Sequence, residues 1–334
     1  MNVSMWLKAL RTIPRVSQEE WRGLDLVSKW LIASRAGVLV ITFISAGIAG
    51  LLAYRAGQFD LGLWLLMALG LLLAHATNNL LNDLTDYTKG VDRNNYFRAQ
   101  YGPHPLEHGL LTMRQVLAYI AVTGVLALAA GAVLVGVRGL PALALLGLGA
   151  FFVLFYTWPL KYIGLGEIAV LLVWGPLMIG GGYFVVTGTW DWNVVLAGLP
   201  YAIGATTVIF GKHIDKFEED KAKGIHTLPV LLGERLARGI GLSMMVLQYL
   251  FVIYLVAIRY FTPLPLVVLL ALPTLRLAWA VYRKPKPADR PQAYPAEAWP
   301  LWFVAFAFGH NRRFGLLFLL GLIGDVILRV RGIL

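Results

Sequence analysis

The sequence predicts an all-α fold, a polytopic membrane bundle of about nine transmembrane helices. Three observations carry that expectation. The 334 residues are 58% hydrophobic and only 14% charged, where a soluble domain carries about 25% charged residues. Mean hydropathy is +0.69. About nine apolar runs approach the roughly 20 residues that a helix needs to cross a bilayer.

Residues 1–29 are mixed and polar, with Arg11, Arg15, Glu19, Glu20 and Arg22, and do not read as a cleavable signal peptide. Trp6, Leu7, Leu10 and Ile13 suit a segment lying along the cytoplasmic membrane surface. Residues 30–334 read as one transmembrane domain, with spans expected near 31–54, 61–82, 115–136, 140–158, 166–187, 193–212, 236–258, 263–282 and 299–329. The last run is interrupted from Gly309 to Arg313 and reads as a re-entrant piece followed by a helix. Gly175-Pro176, Gly180 to Gly182 and Pro273 fall inside spans, where neighbouring helices can re-satisfy the backbone. Arg283 to Ala298, rich in Pro and charge, reads as a loop.

Formal net charge is +11. In a membrane protein the positive-inside bias and anionic lipid account for such a surplus, so no nucleic-acid partner is implied. There is no cysteine, which excludes disulfides and thiolate chemistry. Lys89, Arg93, Arg98, Lys161, Lys216, Lys221, Lys223, Arg235, Arg283, Lys284 and Arg290 gather in alternate connections, while the opposite loops hold little beyond Arg55, Arg138 and Arg259. This puts the N-terminus in the cytoplasm of a cell (inner or plasma) membrane and, for an odd number of spans, the C-terminus outside.

On that orientation two acidic clusters share the cytoplasmic face. Asn79, Asp83 and Asp86 are spaced i, i+4, i+7 and fall on one helical face. Two carboxylates and an amide oxygen form a hard-oxygen set suited to Mg²⁺ with a phosphorylated ligand. A solvated helix end also carries Asp and Asn, as caps. The second cluster holds Asp215, Glu218, Glu219 and Asp220 among Lys212, Lys216, Lys221 and Lys223. Lys212 stands at the water boundary, placed to neutralise a phosphate. Asp215 pairs in helical register with Glu219; alternatively the helix ends and a loop brings Asp220 round. A charged cytoplasmic loop is the plain alternative.

These segments resemble the UbiA superfamily of intramembrane prenyltransferases. Asn79, Asp83, Asp86 and Asp92 are similar to its first Asp-rich motif. Asp220, Gly224, Thr227-Leu228 and Gly233 resemble the end of its second motif and the stretch immediately C-terminal to it. Tyr156-Thr157-Trp158-Pro159-Leu160-Lys161-Tyr162, with Gly164-Leu165-Gly166-Glu167, resembles the segment joining its fourth and fifth spans. Arg35 stands where that family places an arginine. The resemblance covers roughly residues 30 to 330 in the family's order and with its nine-helix layout.

The resemblance implies a Mg²⁺-dependent transfer from a prenyl diphosphate to an aromatic acceptor, with the prenyl tail in a groove open to membrane lipid. It implies metal at Asp83, Asp86, Asp215 and Asp220, with Asn79 in support and Asp92 as a further candidate. Diphosphate partners would be Arg35, Arg93, Lys161 and Lys212. Tyr156, Trp158 and Phe155 would face the allylic cation, or else form an interfacial aromatic belt. The spacing from Asn82 to Asp92 and the run Gly166-Glu167 with Gly175-Pro176 resemble the 1,4-dihydroxy-2-naphthoate branch of menaquinone biosynthesis. Other acceptors of the same fold are hydroxybenzoate, homogentisate, a tetrapyrrole or a glycerol phosphate lipid; a terpene cyclase would need none.

Departures are visible. Lys216 takes the first acidic position of the second motif, and Asp215 is shifted by one. His104-Pro105 replaces the family's Arg-Pro, with Glu107 and His108 close by as acid, base or metal candidates unless solvated. Arg35 is followed by Ala36-Gly37 rather than Pro. His310-Asn311-Arg312-Arg313 has no counterpart. A secondary transporter would want internal repeats and midplane acids, neither of which the sequence displays.

Overall fold

The computed structural model describes residues 2–91, 102–296 and 298–332. Among them every regular element is helical. In chain order these are α1 Val3–Arg11, α2 Gln18–Arg22, α3 Leu26–Ala33, α4 Val40–Arg55, α5 Leu61–Thr88, α6 Met113–Arg138, α7 Leu140–Phe155 and α8 Gly166–Leu172. A π-helical stretch, Val173–Gly181, leads into α9 Gly182–Thr187. Then come α10 Trp192–Asp215, α11 Phe217–Ala222, α12 Leu228–Leu232, α13 Glu234–Ala257, α14 Leu272–Tyr282 and α15 Phe303–Val330. Two compact units result: residues 1–43 with 68–159, and 44–67 with 160–334.

Among the described residues seven helical segments are long and apolar enough to cross a membrane: 36–55, 61–88, 113–138, 166–187, 192–215, 234–257 and 264–282. The two other expected spans differ from these. α7 is apolar but only 16 residues long. α15 runs unbroken for 28 residues, so the re-entrant piece expected near Gly309 is a correction. The intrahelical ladder continues through His310-Asn311 because both side chains are buried against neighbouring helices instead of ending the helix.

In the first unit the N-terminal segment is not a loose tail. Ala9 and Trp21 join Leu31, Ile32, Ala76, Leu80, Leu111 and Val116 in one core, while Val3, Leu7 and Leu10 stay exposed on α1. Asp25 caps α3 through the Ser28 N–H at 3.0 Å and accepts from the Asn2 N–H and the Trp6 indole. The Ser28 bond leads in holding its carboxyl below the ordinary range. The first span begins later than expected, because the chain breaks at Arg35 (φ +55°) and makes a short 3₁₀ turn before α4. Gly37 permits that turn: a Cβ there would lie 3.0 Å from the backbone of Thr12.

In the second unit α10 is the central helix, packed by α8 and the π stretch, α12, α13 and α15. Gly175-Pro176 produces the π winding, since Pro176 offers no N–H to the ladder. Phe210, Ile214, Met245, Tyr282 and Phe303 fill the core. At the far end of α15, buried Asp325 accepts from the Thr262 N–H at 2.6 Å and from Arg55 at 3.3 Å, tying the turn before residue 264 to α4.

Small residues on α10 let its neighbours approach closely. A Cβ on Gly204 would overlap Asn311 Oδ1 and lie 2.7 Å from Gln248 Oε1. Gly204→Ala is therefore expected to lower stability by about 1–3 kcal/mol through overpacking, read as an earlier thermal unfolding in detergent; unchanged unfolding would mean that α13 and α15 can yield there.

Candidate active site

The first acidic cluster lies in the first unit, at the C-terminal end of α5. Helical spacing puts Asn79, Asn82, Asp83 and Asp86 within two turns, and all four are buried. The break before α4 delivers Arg35 to them. Its Nη2 donates to Asn79 O at 2.9 Å and Asn82 Oδ1 at 3.2 Å, and lies 3.4 Å from Asp83 Oδ1. Asn79 Nδ2 donates to Ser34 O at 2.9 Å, so its carbonyl oxygen turns the other way. Asn82 Nδ2 donates to Asp86 Oδ2 at 3.1 Å and Thr157 Oγ1 at 3.3 Å.

Arginine, amide and hydroxyl groups thus fix the rotamers of two neighbouring carboxylates. The donor set fits Mg²⁺, which takes one or two carboxylates and completes its shell with water and phosphate oxygens. Among the described residues no three histidine, aspartate or glutamate side chains gather as a ligand set.

Next to this cluster, α7 ends at Tyr156, which is partly buried. Trp158 is exposed, with the Lys89 ammonium 4.8 Å from its ring centre. Its face therefore already receives a cation. Arg93 and Asp92, both site candidates, lie outside the described residues. His104 is buried, not solvated, and its Nδ1 accepts the N–H groups of Leu106 and Glu107, each at 3.2 Å. The His104 N–H in turn donates to His108 Nδ1. These bonds shape the turn before α6, and they engage the Nδ1 of each histidine that a metal would otherwise want.

The second cluster lies in the second unit. Lys161 is buried in the 3₁₀ turn Leu160–Ile163, 5.5 Å from the Tyr162 ring centre. Lys212 is partly buried near the end of α10. Asp220 is buried on α11, with the Lys216 ammonium 3.5 Å from its Oδ1. Glu218 and Glu219 are exposed, α10 ends at Asp215 and Asp220 is buried on α11, so of the two arrangements the spacing left open the chain takes the one in which the helix stops.

Asp215 reaches the start of another helix. Its Oδ1 accepts the Phe303 N–H, and its Oδ2 accepts those of Trp302 and Val304, all at 2.9 Å. It thereby holds the N-terminus of α15, where backbone donors have no partner within the helix. Lys286 approaches to 3.8 Å; burial pulls its ammonium below the ordinary lysine range, against the opposing charges of Asp215 and Glu219.

One buried pair went unseen in the sequence. His213 Nδ1 lies 2.6 Å from Glu167 Oε1, and Glu167 Oε2 accepts the Leu228 N–H at 3.4 Å. The partners are 46 residues apart, and no local periodicity joins them. Asn82 was within reach, since it precedes Asp86 by four residues on one helix face. His310 is buried with Nδ1 3.1 Å from Thr274 Oγ1.

The model of the UbiA prenyltransferase family matches residues 40–306, across both acidic clusters. The chain belongs to that family. As a UbiA protein it is a membrane prenyltransferase, an enzyme that transfers alkyl groups. Among curated relatives, the Escherichia coli K12 1,4-dihydroxy-2-naphthoate octaprenyltransferase is 30% identical over 218 residues, 63% of this chain and 70% of that one. UbiA prenyltransferase domain-containing protein 1 of Danio rerio is 28% identical over 275 residues, covering 80% and 78%.

Solved structures share the fold. An apo UbiA homolog from Aeropyrum pernix K1 superposes with TM-score 0.61 at 20% identity, covering 88% of this chain and 98% of that one. A UbiA homolog from Archaeoglobus fulgidus, bound to GPP and Mg²⁺, gives 0.56 at 16% identity, covering 86% and 99%.

Proposed function

We propose that this UbiA protein transfers a prenyl group from a prenyl diphosphate to an aromatic acceptor, with 1,4-dihydroxy-2-naphthoate as the leading acceptor in menaquinone biosynthesis. The observation that carries the chemistry is the buried Asp83–Asp86 pair on α5, oriented by Arg35 and Asn82. The acceptor rests on the spacing of the first motif and on the E. coli relative's name. The animal relatives' names specify no acceptor.

Asp83 and Asp86 would hold Mg²⁺, with Asn79 in support; bound there, it neutralises diphosphate oxygens and eases departure of pyrophosphate. The Archaeoglobus homolog's GPP and Mg²⁺ support this assignment. Arg35, Arg93, Lys161 and Lys212 supply further positive charge to the diphosphate, and Asp220 orients the basic side chain beside it. Asp215 leaves the metal set, because its oxygens serve α15. As the C1–O bond breaks, positive charge grows on the allyl group, and Tyr156 and Trp158 offer it ring faces. The acceptor ring then forms the new carbon–carbon bond, and its carboxylate leaves as CO₂.

Residues 30–334 act as one catalytic domain, with 1–29 at the membrane interface. Joint action of both acidic clusters on one diphosphate is supported by family membership and by motif order along the chain. The Lys and Arg asymmetry supports a cytoplasmic N-terminus and active site in the plasma or inner membrane.

Product analysis tests the reading. Purified protein receives Mg²⁺, a long prenyl diphosphate and a panel of aromatic acceptors, with products read by mass spectrometry. A prenylated, decarboxylated naphthoquinol is expected. Another adduct would move the acceptor; a cyclised hydrocarbon would replace transfer by cyclisation; absence of pyrophosphate release from folded protein would overturn the chemistry.

A further inference from the structure

We infer that residues 215–220 hold no divalent cation, the Lys216 ammonium standing beside Asp220 where a second metal would be, so that this chain binds a single divalent cation, at Asp83 and Asp86. The inference rests on the proposed prenyl diphosphate chemistry.

A metal at residues 215–220 would need neighbouring carboxylates with oxygens to spare. Asp215 is committed elsewhere: its side chain is 0% exposed, and three backbone N–H groups at the start of α15, those of Trp302, Phe303 and Val304, bond to its two oxygens. Releasing it would strip the N-terminus of a 28-residue helix. Glu218 and Glu219 are exposed. Asp220 alone is left facing inward, and an ammonium already lies 3.5 Å from it. A dication placed on Asp220 would repel that ammonium at close range in a partly desolvated site.

The two observations fit together. Helical spacing puts Lys216 one turn before Asp220, so the carboxylate holds the lysine in place. A lysine ammonium is a compact point charge suited to phosphate oxygens. It supplies positive charge where the family's motif would place an acid for a metal. The chain therefore keeps a cation at this position while losing the ligand set for an exchangeable one.

The test counts metal directly. Mn²⁺ is titrated by EPR into purified full-length protein saturated with an unreactive prenyl thiodiphosphate. One Mn²⁺ per chain is expected for the wild type and for Asp220→Asn, and none for Asp83→Asn with Asp86→Asn. Lys216→Asp is expected to raise the count to two. Lys216→Ala should weaken thiodiphosphate binding about tenfold and leave the count at one. Two Mn²⁺ in the wild type, or loss of the ion in Asp220→Asn, would overturn the inference. Thiodiphosphate binding without any Mn²⁺ would instead overturn the metal assignment at Asp83 and Asp86. If Lys216→Asp fails to fold, the wild-type and Asp220→Asn counts still decide the matter.

Discussion

An Asp83→Asn, Asp86→Asn double variant is expected to lose at least about a thousandfold in prenyl transfer, on the order of 4 kcal/mol of transition-state stabilisation. Asparagine keeps the volume of aspartate and one acceptor oxygen, so the contacts to Arg35 and Asn82 survive in weakened form. What disappears is the anionic oxygen that a hard dication requires. Pyrophosphate release by the purified variant measures the effect, with thermal unfolding as the control for folding. Both carboxylates are buried and Arg35 loses its counter-charge, which costs stability, so an earlier but still cooperative unfolding is expected and transfer is compared at a temperature where both proteins are folded. Full transfer by the double variant would move the chemistry away from α5.

The second large effect falls on stability. Asp215→Ala is expected to cost about 3–5 kcal/mol, because it leaves two buried and one part-buried N–H donors without this acceptor and the Lys286 ammonium without the Asp215 carboxylate. Asp215→Asn keeps one acceptor oxygen and should cost less, about 2 kcal/mol. Urea or thermal unfolding in detergent reads the loss, and limited proteolysis should cut first near residues 283–302, where the loop enters α15. Asp220→Asn should cost less than Asp215→Ala, since it weakens one ion pair with Lys216 and leaves no backbone donor without an acceptor. The reverse pattern, with Asp215 variants stable but metal-deficient, would return Asp215 to the metal.

How far each site was legible depends on the range of the interactions that build it. Asn79, Asp83 and Asp86 lie on a single helix, and helical geometry fixes which of them share a face before any tertiary contact forms. The structure buries all three and brings Arg35, which spacing along that helix does not point to, up against them. The second cluster was harder to read because it straddles the end of α10, where helical register stops. Spacing could propose that Asp215 pairs with Glu219. It could not supply the N-terminus of α15, 87 residues later, which claims Asp215. The pair of Glu167 and His213 was hidden in the same way.

Membrane residence, the helical class, most of the spans and the shared helical face of Asn79, Asp83 and Asp86 follow from the sequence by itself, because hydropathy and helical period are local properties that a bilayer enforces. Tertiary structure alone decided that α15 is continuous, that Arg35 turns back onto α5, and that Asp215 accepts the N–H groups at the start of α15 while Lys216 pairs with Asp220. The physical reason is one and the same. A buried donor or carboxylate must find a partner, and in a helical bundle that partner is set by which helices pack together, which a single helix's sequence does not encode.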